Sequence, residues 1–317
     1  MDIITWGETM VCFTPLHGDR LEQAPYLAKT IGGAETNTAI GLARLGKKAG
    51  WISGLGDDPF GHFIQKVVRG EGVDIEMVKF SNDLPTGVMF KDMASRESVH
   101  VHYYRKPSAA ASIVLTEEHF TYLKKAKRVH LTGILPALNV CMQRECLRLI
   151  KWCAREGIPV SFDVNLRQKL WDVKEAKSFF EEIYAYLDIL FLGDTEACLC
   201  SGEENLEEAV SYFRKRLKTS GVLIVKKGEF GASAYQGERS LHSDSVPGTM
   251  VVDTVGAGDG FNAGFLYGVL EGYSLEDCLE MGNWCGAMIV SRLGDYQGAP
   301  TLEEMRTWKS KRKIVER

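Results

Sequence analysis

The chain predicts an α/β fold: a mostly parallel sheet covered by helices on both faces, with a small β-hairpin set apart from it. Three observations carry that reading. Short apolar runs alternate with helix-length amphipathic stretches along nearly the whole chain, as parallel β-α-β units do. The runs are almost continuously apolar, which suits strands buried on both faces. One segment, 86–105, holds two extended runs with no helix between them, which indicates an antiparallel hairpin.

Strands are expected at 3–6, 49–53, 128–131, 160–162, 189–192 and 222–225, with helices over 36–45, 60–71, 140–156, 174–186 and 203–217. The hairpin runs, 86–94 and 99–105, are joined by the polar turn Ser95-Arg96-Glu97-Ser98. The two-residue period of a strand puts Tyr103 and Arg105 on one face and His100, His102 and Tyr104 on the other. The two histidines have no carboxylate partner and read as surface polar residues rather than metal ligands.

Composition closes several doors. The 317 residues are 45% hydrophobic and 25% charged, as in a packed globular protein. Lys+Arg 38 against Asp+Glu 42 leaves a net charge of −4, with no basic excess for nucleic acid. The basic stretch Lys309-Ser310-Lys311-Arg312-Lys313 reads as a solvated helix end. No apolar run reaches the roughly 18 residues that a bilayer span needs. The start, Met1-Asp2-Ile3-Ile4, lacks the basic region of a signal peptide, so a cytoplasmic location is expected. Eight cysteines without a Cys-x-x-Cys pair read as free, buried thiols.

The segment richest in chemistry is Asp253-Thr254-Val255-Gly256-Ala257-Gly258-Asp259-Gly260-Phe261-Asn262-Ala263-Gly264. Phe261, Phe265 and Val269 follow at helical spacing, so 256–258 forms a turn at a helix N-terminus. Small residues there leave backbone amides exposed, and the helix dipole adds positive charge, which together suit a phosphate. Asp259 in the first turn either stabilises the helix electrostatically or accepts a proton beside a transferring phosphoryl group. Glycines at 256, 260, 264, 268 and 272 line one flank and predict the close approach of another backbone.

Two further segments carry polar groups at element ends. In Gly32-Gly33-Ala34-Glu35-Thr36-Asn37, a Gly-Gly turn enters a helix, Glu35 suits the helix dipole, and Asn37 is either a ligand contact or a local cap. In Phe162-Asp163-Val164-Asn165-Leu166-Arg167, three polar residues cluster beyond a strand, where open α/β sheets bind ligands. Arg167 either grips a carboxylate or forms a surface salt bridge. Two other glycine-rich stretches fail: 41–48 has Lys48 where a P-loop needs Ser or Thr, and 54–59 lacks the third glycine of a dinucleotide fingerprint.

Together these segments resemble the ribokinase-like (PfkB) carbohydrate kinase family over essentially the full length. Gly32-Gly33 with Asn37, then Gly46 and Gly56, then Asp253-Thr254-x-Gly256-Ala257-Gly258-Asp259 stand in the family's order. Gly33-Ala34-Glu35, Tyr103-Tyr104-Arg105-Lys106, Asp163-x-Asn165-x-Arg167 with Trp171, and Gly294-Asp295-x-x-Gly298-Ala299-Pro300 resemble its 2-keto-3-deoxygluconate kinases. The resemblance implies a ribokinase-like three-layer sandwich over 1–317, with a small β-sheet lid from about 10–35 and 86–107.

It also implies ATP-dependent phosphorylation of a sugar acid. Asp259 would be the base, with Gly256, Ala257 and Gly258 supplying amides to the moving group. Gly33, Ala34, Asn37, Tyr103, Arg105, Asn165, Arg167 and Asp295 would meet the sugar acid. Gly193, Lys226, Lys227, Gly228, 256–258 and Asn283 would meet the nucleotide, and Glu196 would hold Mg2+ through water. Gly193 stands where the family usually has Asn, and Met89 where some members have Tyr. A monovalent cation is compatible with the resemblance, and a homo-oligomer, dimer or larger, is expected. The competing readings are a neutral-sugar kinase of the fructokinase or ribokinase type and a non-catalytic sugar sensor on the same scaffold.

Overall fold

The structure, a computed structural model, describes residues 1–16, 20–95 and 98–315, without the side chains of 93–95, 98–99 and 312–315. Arg96 and Glu97 of the expected hairpin turn and residues 17–19 of the expected lid lie outside the described residues. The chain opens with β1 (Ile3–Trp6), β2 (Met10–Pro15), β3 (Leu27–Gly32), α1 (Ala34–Arg44), β4 (Ala49–Gly56), α2 (Pro59–Gly70) and β5 (Val78–Ser81). The hairpin strands β6 (Val88–Ser95) and β7 (Ser98–Tyr104) precede α3 (Glu117–Leu123), β8 (Val129–Thr132), α4 (Ile134–Ala137) and α5 (Val140–Glu156). Next come β9 (Val160–Asp163), α6 (Val173–Ile183), β10 (Ile189–Gly193), α7 (Asp194–Ser201), α8 (Leu206–Arg216) and β11 (Val222–Lys226). The chain closes with β12 (Ala232–Gln236), β13 (Arg239–Ser243), α9 (Ala257–Glu271), α10 (Leu275–Val290) and α11 (Leu302–Val315).

Nine strands form the large sheet in the order β13-β12-β11-β10-β9-β8-β1-β4-β5. It is parallel from β5 to β11, and β12 and β13 turn antiparallel at one edge. The apolar runs divide by parity between two cores. Leu190 and Leu192 of β10 enter one core, and Ile189 and Phe191 enter the other. The first core is closed by α3, α5, α6 and α8, the second by α1, α2, α9 and α10, which gives three layers. Side-chain caps set several helix starts: Asp58 accepts from Phe60 and Gly61 ahead of α2, Asn139 from Met142 ahead of α5, and Asn205 from Glu208 ahead of α8.

The glycine flank of α9 meets α10. A Cβ at Gly264 would stand 2.4 Å from Met281 O, and one at Gly260 2.5 Å from Ile289 Cγ1. Side chains there would hold the helices apart, so the expected close approach is between these two helices.

A separate four-stranded sheet runs β3-β2-β6-β7. Its inner face carries Met10, Cys12 and Met89 with Val101 and Tyr103, while His100, His102 and Tyr104 face outward, following the expected parity. Seven of the eight cysteines are buried or half-buried; Cys141 is exposed, contrary to the buried reading, and all eight are free. Lys309 is not a solvated tail residue: its Nζ pairs with Asp277 at 3.3 Å and lies over the Tyr273 ring. Among the described residues, no helix is long and apolar enough to cross a membrane.

Candidate active site

The C-terminal ends of β9 and β11 and the N-termini of α1 and α9 converge on Asp259. Gly256 caps α9 with φ 85, in the left-handed region, and a Cβ there would fall 1.9 Å from Asp295 O. The turn leaves the amides of Gly258 and Asp259 with no hydrogen-bond acceptor among the described residues, while Ala257 N has a long 3.4 Å contact to Thr254 O. Asp259 is 7% exposed, and its Oδ2 accepts from Asn37 Nδ2 at 2.8 Å. Burial pushes the carboxyl up to about 7. The Asn37 hydrogen bond and the charges of Lys226 and Arg167 oppose the rise, and Asp163 adds to it.

Asp163 ends β9. Its Oδ2 accepts from Asn262 Nδ2 at 2.6 Å and from Lys226 Nζ at 2.9 Å, while its buried Oδ1 has no partner among the described residues. Lys226 ends β11, and a Cβ at Gly258 would lie 3.2 Å from its Nζ, so the ammonium stands beside the free amides. Glu196 accepts from Gly193 N at 2.7 Å and from Leu166 N at 2.8 Å. Burial first, then Asp163, holds its carboxyl above the usual range. Asn165 has φ 37, a left-handed conformation that asparagine tolerates, and it turns the chain toward Arg167. Arg167 is exposed, and the salt-bridge alternative is not realised among the described residues.

On the other side of Asp259, Gly32 ends β3 and Gly33 is extended at φ −179, so this pair is not a turn. The glycines answer to close packing: a Cβ at Gly33 would meet Glu8 O at 2.4 Å, and one at Gly32 Asp295 Oδ2 at 2.3 Å. Ala34 is buried at the start of α1. Asn37 caps nothing, and its Oδ1 is buried without a partner among the described residues. Arg105 is buried; its Nη2 pairs with Glu8, whose Oε1 accepts from Ser108 Oγ at 2.5 Å, while Nε has no acceptor among the described residues. The Tyr103 ring centre lies 5.5 Å from the guanidinium, and both residues border an opening of about 560 Å³ with Lys106 and Lys169.

Two charged residues at this centre, Glu8 and Lys91, escape the sequence reading, and a third, Glu35, does not behave as that reading expects. Glu8 holds Arg105. Glu35 is a buried carboxyl rather than a solvated first-turn charge; it accepts from Thr132 Oγ1 at 2.6 Å, and burial pushes it up to about 7. Lys91 is fully buried and pairs with Asp253 at 2.7 Å and Asp295 at 2.6 Å. Its signal was available: it shares strand parity with Met89, on the apolar face of β6.

The residues expected at a nucleotide divide. A cleft of about 700 Å³ is lined by Lys226, Gly228, Thr254, Ala257, Gly258 and Asn283, among others. Asn283 Nδ2 donates to Ser243 O at 2.9 Å and Asp244 O at 3.0 Å, fixing the cleft wall. Lys227 directs its ammonium to Ser233 Oγ at 2.9 Å, and Gly193 gives its amide to Glu196.

The family model described as pfkB family carbohydrate kinase matches residues 2–302. The chain belongs to that family. It is similar to the 2-dehydro-3-deoxygluconokinase of Bacillus subtilis, at 35% identity over 99% of this chain and 97% of that protein. It is also similar to Fructokinase-2 of Solanum lycopersicum, at 30% identity over 96% and 95%. Among solved structures, a PfkB protein from Polaromonas sp. JS666 superposes with a TM-score of 0.86 at 31% identity, covering 96% of this chain and 99% of that one. A candidate ribokinase II from E. coli in complex with ATP and Mg2+ gives a TM-score of 0.89 at 25% identity, covering 98% and 99%. The protein is a carbohydrate kinase with a ribokinase-like fold.

Proposed function

We propose that this kinase transfers the terminal phosphoryl group of ATP to the terminal hydroxyl of 2-keto-3-deoxygluconate, giving 2-keto-3-deoxy-6-phosphogluconate. One observation carries the transfer chemistry: a buried carboxyl, Asp259, pushed up to about 7 by that burial, beside the Lys226 ammonium and helix amides that have no acceptor among the described residues. A base poised near neutral pH takes the hydroxyl proton, while Asn37 engages Oδ2 and orients the carboxylate. The Gly258 and Asp259 amides and Lys226 stabilise the charge of the group in flight.

The candidate ribokinase II similar to this chain was solved with ATP and Mg2+. The 700 Å³ cleft leading to Gly258 suits the nucleotide. The donor set suits a hard cation that keeps most of its water: Asp163 Oδ1 is buried and has no partner among the described residues, and both oxygens of Glu196 accept from amides. Magnesium, when bound, neutralises phosphate oxygens.

A sugar acid as acceptor is supported by Arg105, whose buried Nε lacks an acceptor among the described residues, and by the nearby charge of Arg167. A carboxylate is the natural partner of such a guanidinium edge. The 35% relative from Bacillus subtilis points the same way. The neutral-sugar reading has its own support, because Glu8 already pairs with Arg105. A panel of sugars and sugar acids in a coupled ATP assay decides between them. The acid is expected to exceed fructose and ribose in kcat/KM by at least about tenfold, as loss of a charge-assisted hydrogen bond implies. Equal or better use of fructose would transfer the assignment to a fructokinase.

The four-stranded sheet would act as a lid that excludes water and presents Tyr103 and Arg105. Its outer face exposes Tyr104, 67% accessible, with its ring edge-on to the half-buried Phe90 at 5.6 Å. That face supports a homo-oligomer, and sedimentation at micromolar concentration should show a dimer or larger. A monomer alone counts against it.

A further inference from the structure

Three segments far apart in sequence meet at one ammonium. Lys91 comes from β6, Asp253 from the residues leading into the Gly256 turn, and Asp295 from the loop after α10. All three side chains are buried. Burial works against the charge on Lys91, but the Asp295 and Asp253 carboxylates outweigh it and hold the ammonium above its ordinary range.

Each carboxylate is also tied to the turn that carries the free amides. Asp253 Oδ1 accepts from Val255 N at 3.0 Å, and its Oδ2 accepts from Gly294 N at 3.2 Å. The backbone of Asp295 packs against Gly256 so closely that no Cβ fits between them. Arg44 grips the other side of this loop through the carbonyls of Tyr296, Gln297 and Ala299 at 3.3, 3.3 and 3.0 Å. Without a cation between them, the two buried carboxylates would repel and the loops on either side of Gly256 would separate.

We infer that Lys91 is the resident monovalent cation of the amide turn. Its ammonium joins Asp253 to Asp295 and so positions residues 256–258 for phosphoryl transfer, with no dissolved cation needed at that point. Lys91 is a positioning residue: it acts through the two carboxylates on the amides, and it couples them to the sheet that carries Tyr103 and Arg105. The inference rests on the reading of 256–258 as the site of the transferring group, whatever the acceptor sugar.

The test uses the full chain with any acceptor that supports turnover. Wild-type kcat is expected to agree within about twofold in potassium, sodium and tetramethylammonium chloride at equal ionic strength. Lys91→Ala is expected to lose about 10²-fold in kcat, the scale for loss of an oxyanion-hole donor. Ammonium or methylammonium should restore at least about tenfold of that loss, because the vacated space lies between two carboxylates; tetramethylammonium is too large to do so. The same ions should raise the melting temperature of Lys91→Ala and leave that of the wild type unchanged.

A folded Lys91→Ala enzyme within about threefold of wild type, or a loss that no small cation repairs, overturns the inference. So does a wild-type enzyme that needs potassium for more than a tenfold share of its rate, even if no variant folds. Asp259→Asn separates the two ways of failing. If it stays active, the reading of the whole centre is wrong; if it is dead while Lys91→Ala is not, only the role of Lys91 falls.

Discussion

Asn37 donates its side-chain amide to Asp259 Oδ2 at 2.8 Å across 222 positions of sequence. Each residue sits in the first turn of its helix, α1 or α9, and the helices approach closely enough that a Cβ at Gly41 would lie 2.7 Å from Ala263 Cβ. The hydrogen bond favours the ionised carboxylate and so opposes the upward push of burial. Asn37→Ala should therefore move the acid limb of kcat/KM to higher pH. A limb that stays put or moves lower means that Asn37 does not tune the base.

The wild-type limb has a defined place. A base must be deprotonated to act, and Asp259 titrates near about 7, so kcat/KM should fall as pH drops through that value. Glu35 also lies near about 7, raised in part by the charge of Asp259, so by reciprocity Glu35→Gln should move the limb to lower pH and not abolish it; a limb that vanishes in this variant belongs to Glu35. A profile flat from about pH 5.5 to 8 contradicts the assignment of Asp259.

Removal of the base itself should cost about 10²–10⁴ in kcat, the usual contribution of positioned proton transfer. Asp259→Asn keeps the shape and a partner for Asn37, so binding of nucleotide and sugar should change little. Calorimetry of ATP binding checks that the variant is intact, and a kcat loss below about tenfold counts against the role.

Arg167 gives the cleanest reading of substrate charge because it is exposed, with no ion pair among the described residues to lose. Arg167→Met should raise KM for the sugar acid by about tenfold or more and leave KM for ATP nearly unchanged. Equal effects on both substrates would remove Arg167 from the carboxylate site.

The glycine flank predicts a stability effect distant from chemistry. A Cβ at Gly264 would sit 2.4 Å from the backbone oxygen of Met281, which cannot rotate away. Gly264→Ala should destabilise by about 1–3 kcal/mol, as overpacking does, despite the better helix propensity of alanine. Urea denaturation measures it, and an unchanged midpoint would mean that α9 and α10 separate at little cost.

Much of the fold could be read from local pattern. Residues 3–6 and 140–156 have the same bounds in sequence expectation and structure, because apolar periodicity and an Asn139 cap act within a few residues. Parity on the hairpin put Tyr103 and Arg105 on one shared face by the same logic, and the structure turns that face inward. The eight-residue α7 was missed because it is short, and its first turn is organised by the Glu196 carboxylate accepting from Gly193 N rather than by a capping side chain. Gly32-Gly33 was read as a turn because glycine is ambiguous between conformational freedom and missing bulk; here the neighbouring Glu8 backbone and Asp295 carboxylate exclude a side chain.

What the sequence determined by itself was the order of layers, the helix-entry turn at Gly256 and the presence of Asp259 within it, since each follows from residues close together in the chain. The tertiary structure alone decided which charges meet: Asn37 with Asp259, Lys226 with Asp163, Glu8 with Arg105, and Lys91 between Asp253 and Asp295. Periodicity says which face a side chain takes, but a buried charge is tolerated only where a partner arrives from another element. That partner is set by how helices and sheets pack over long separations, which no local spacing encodes.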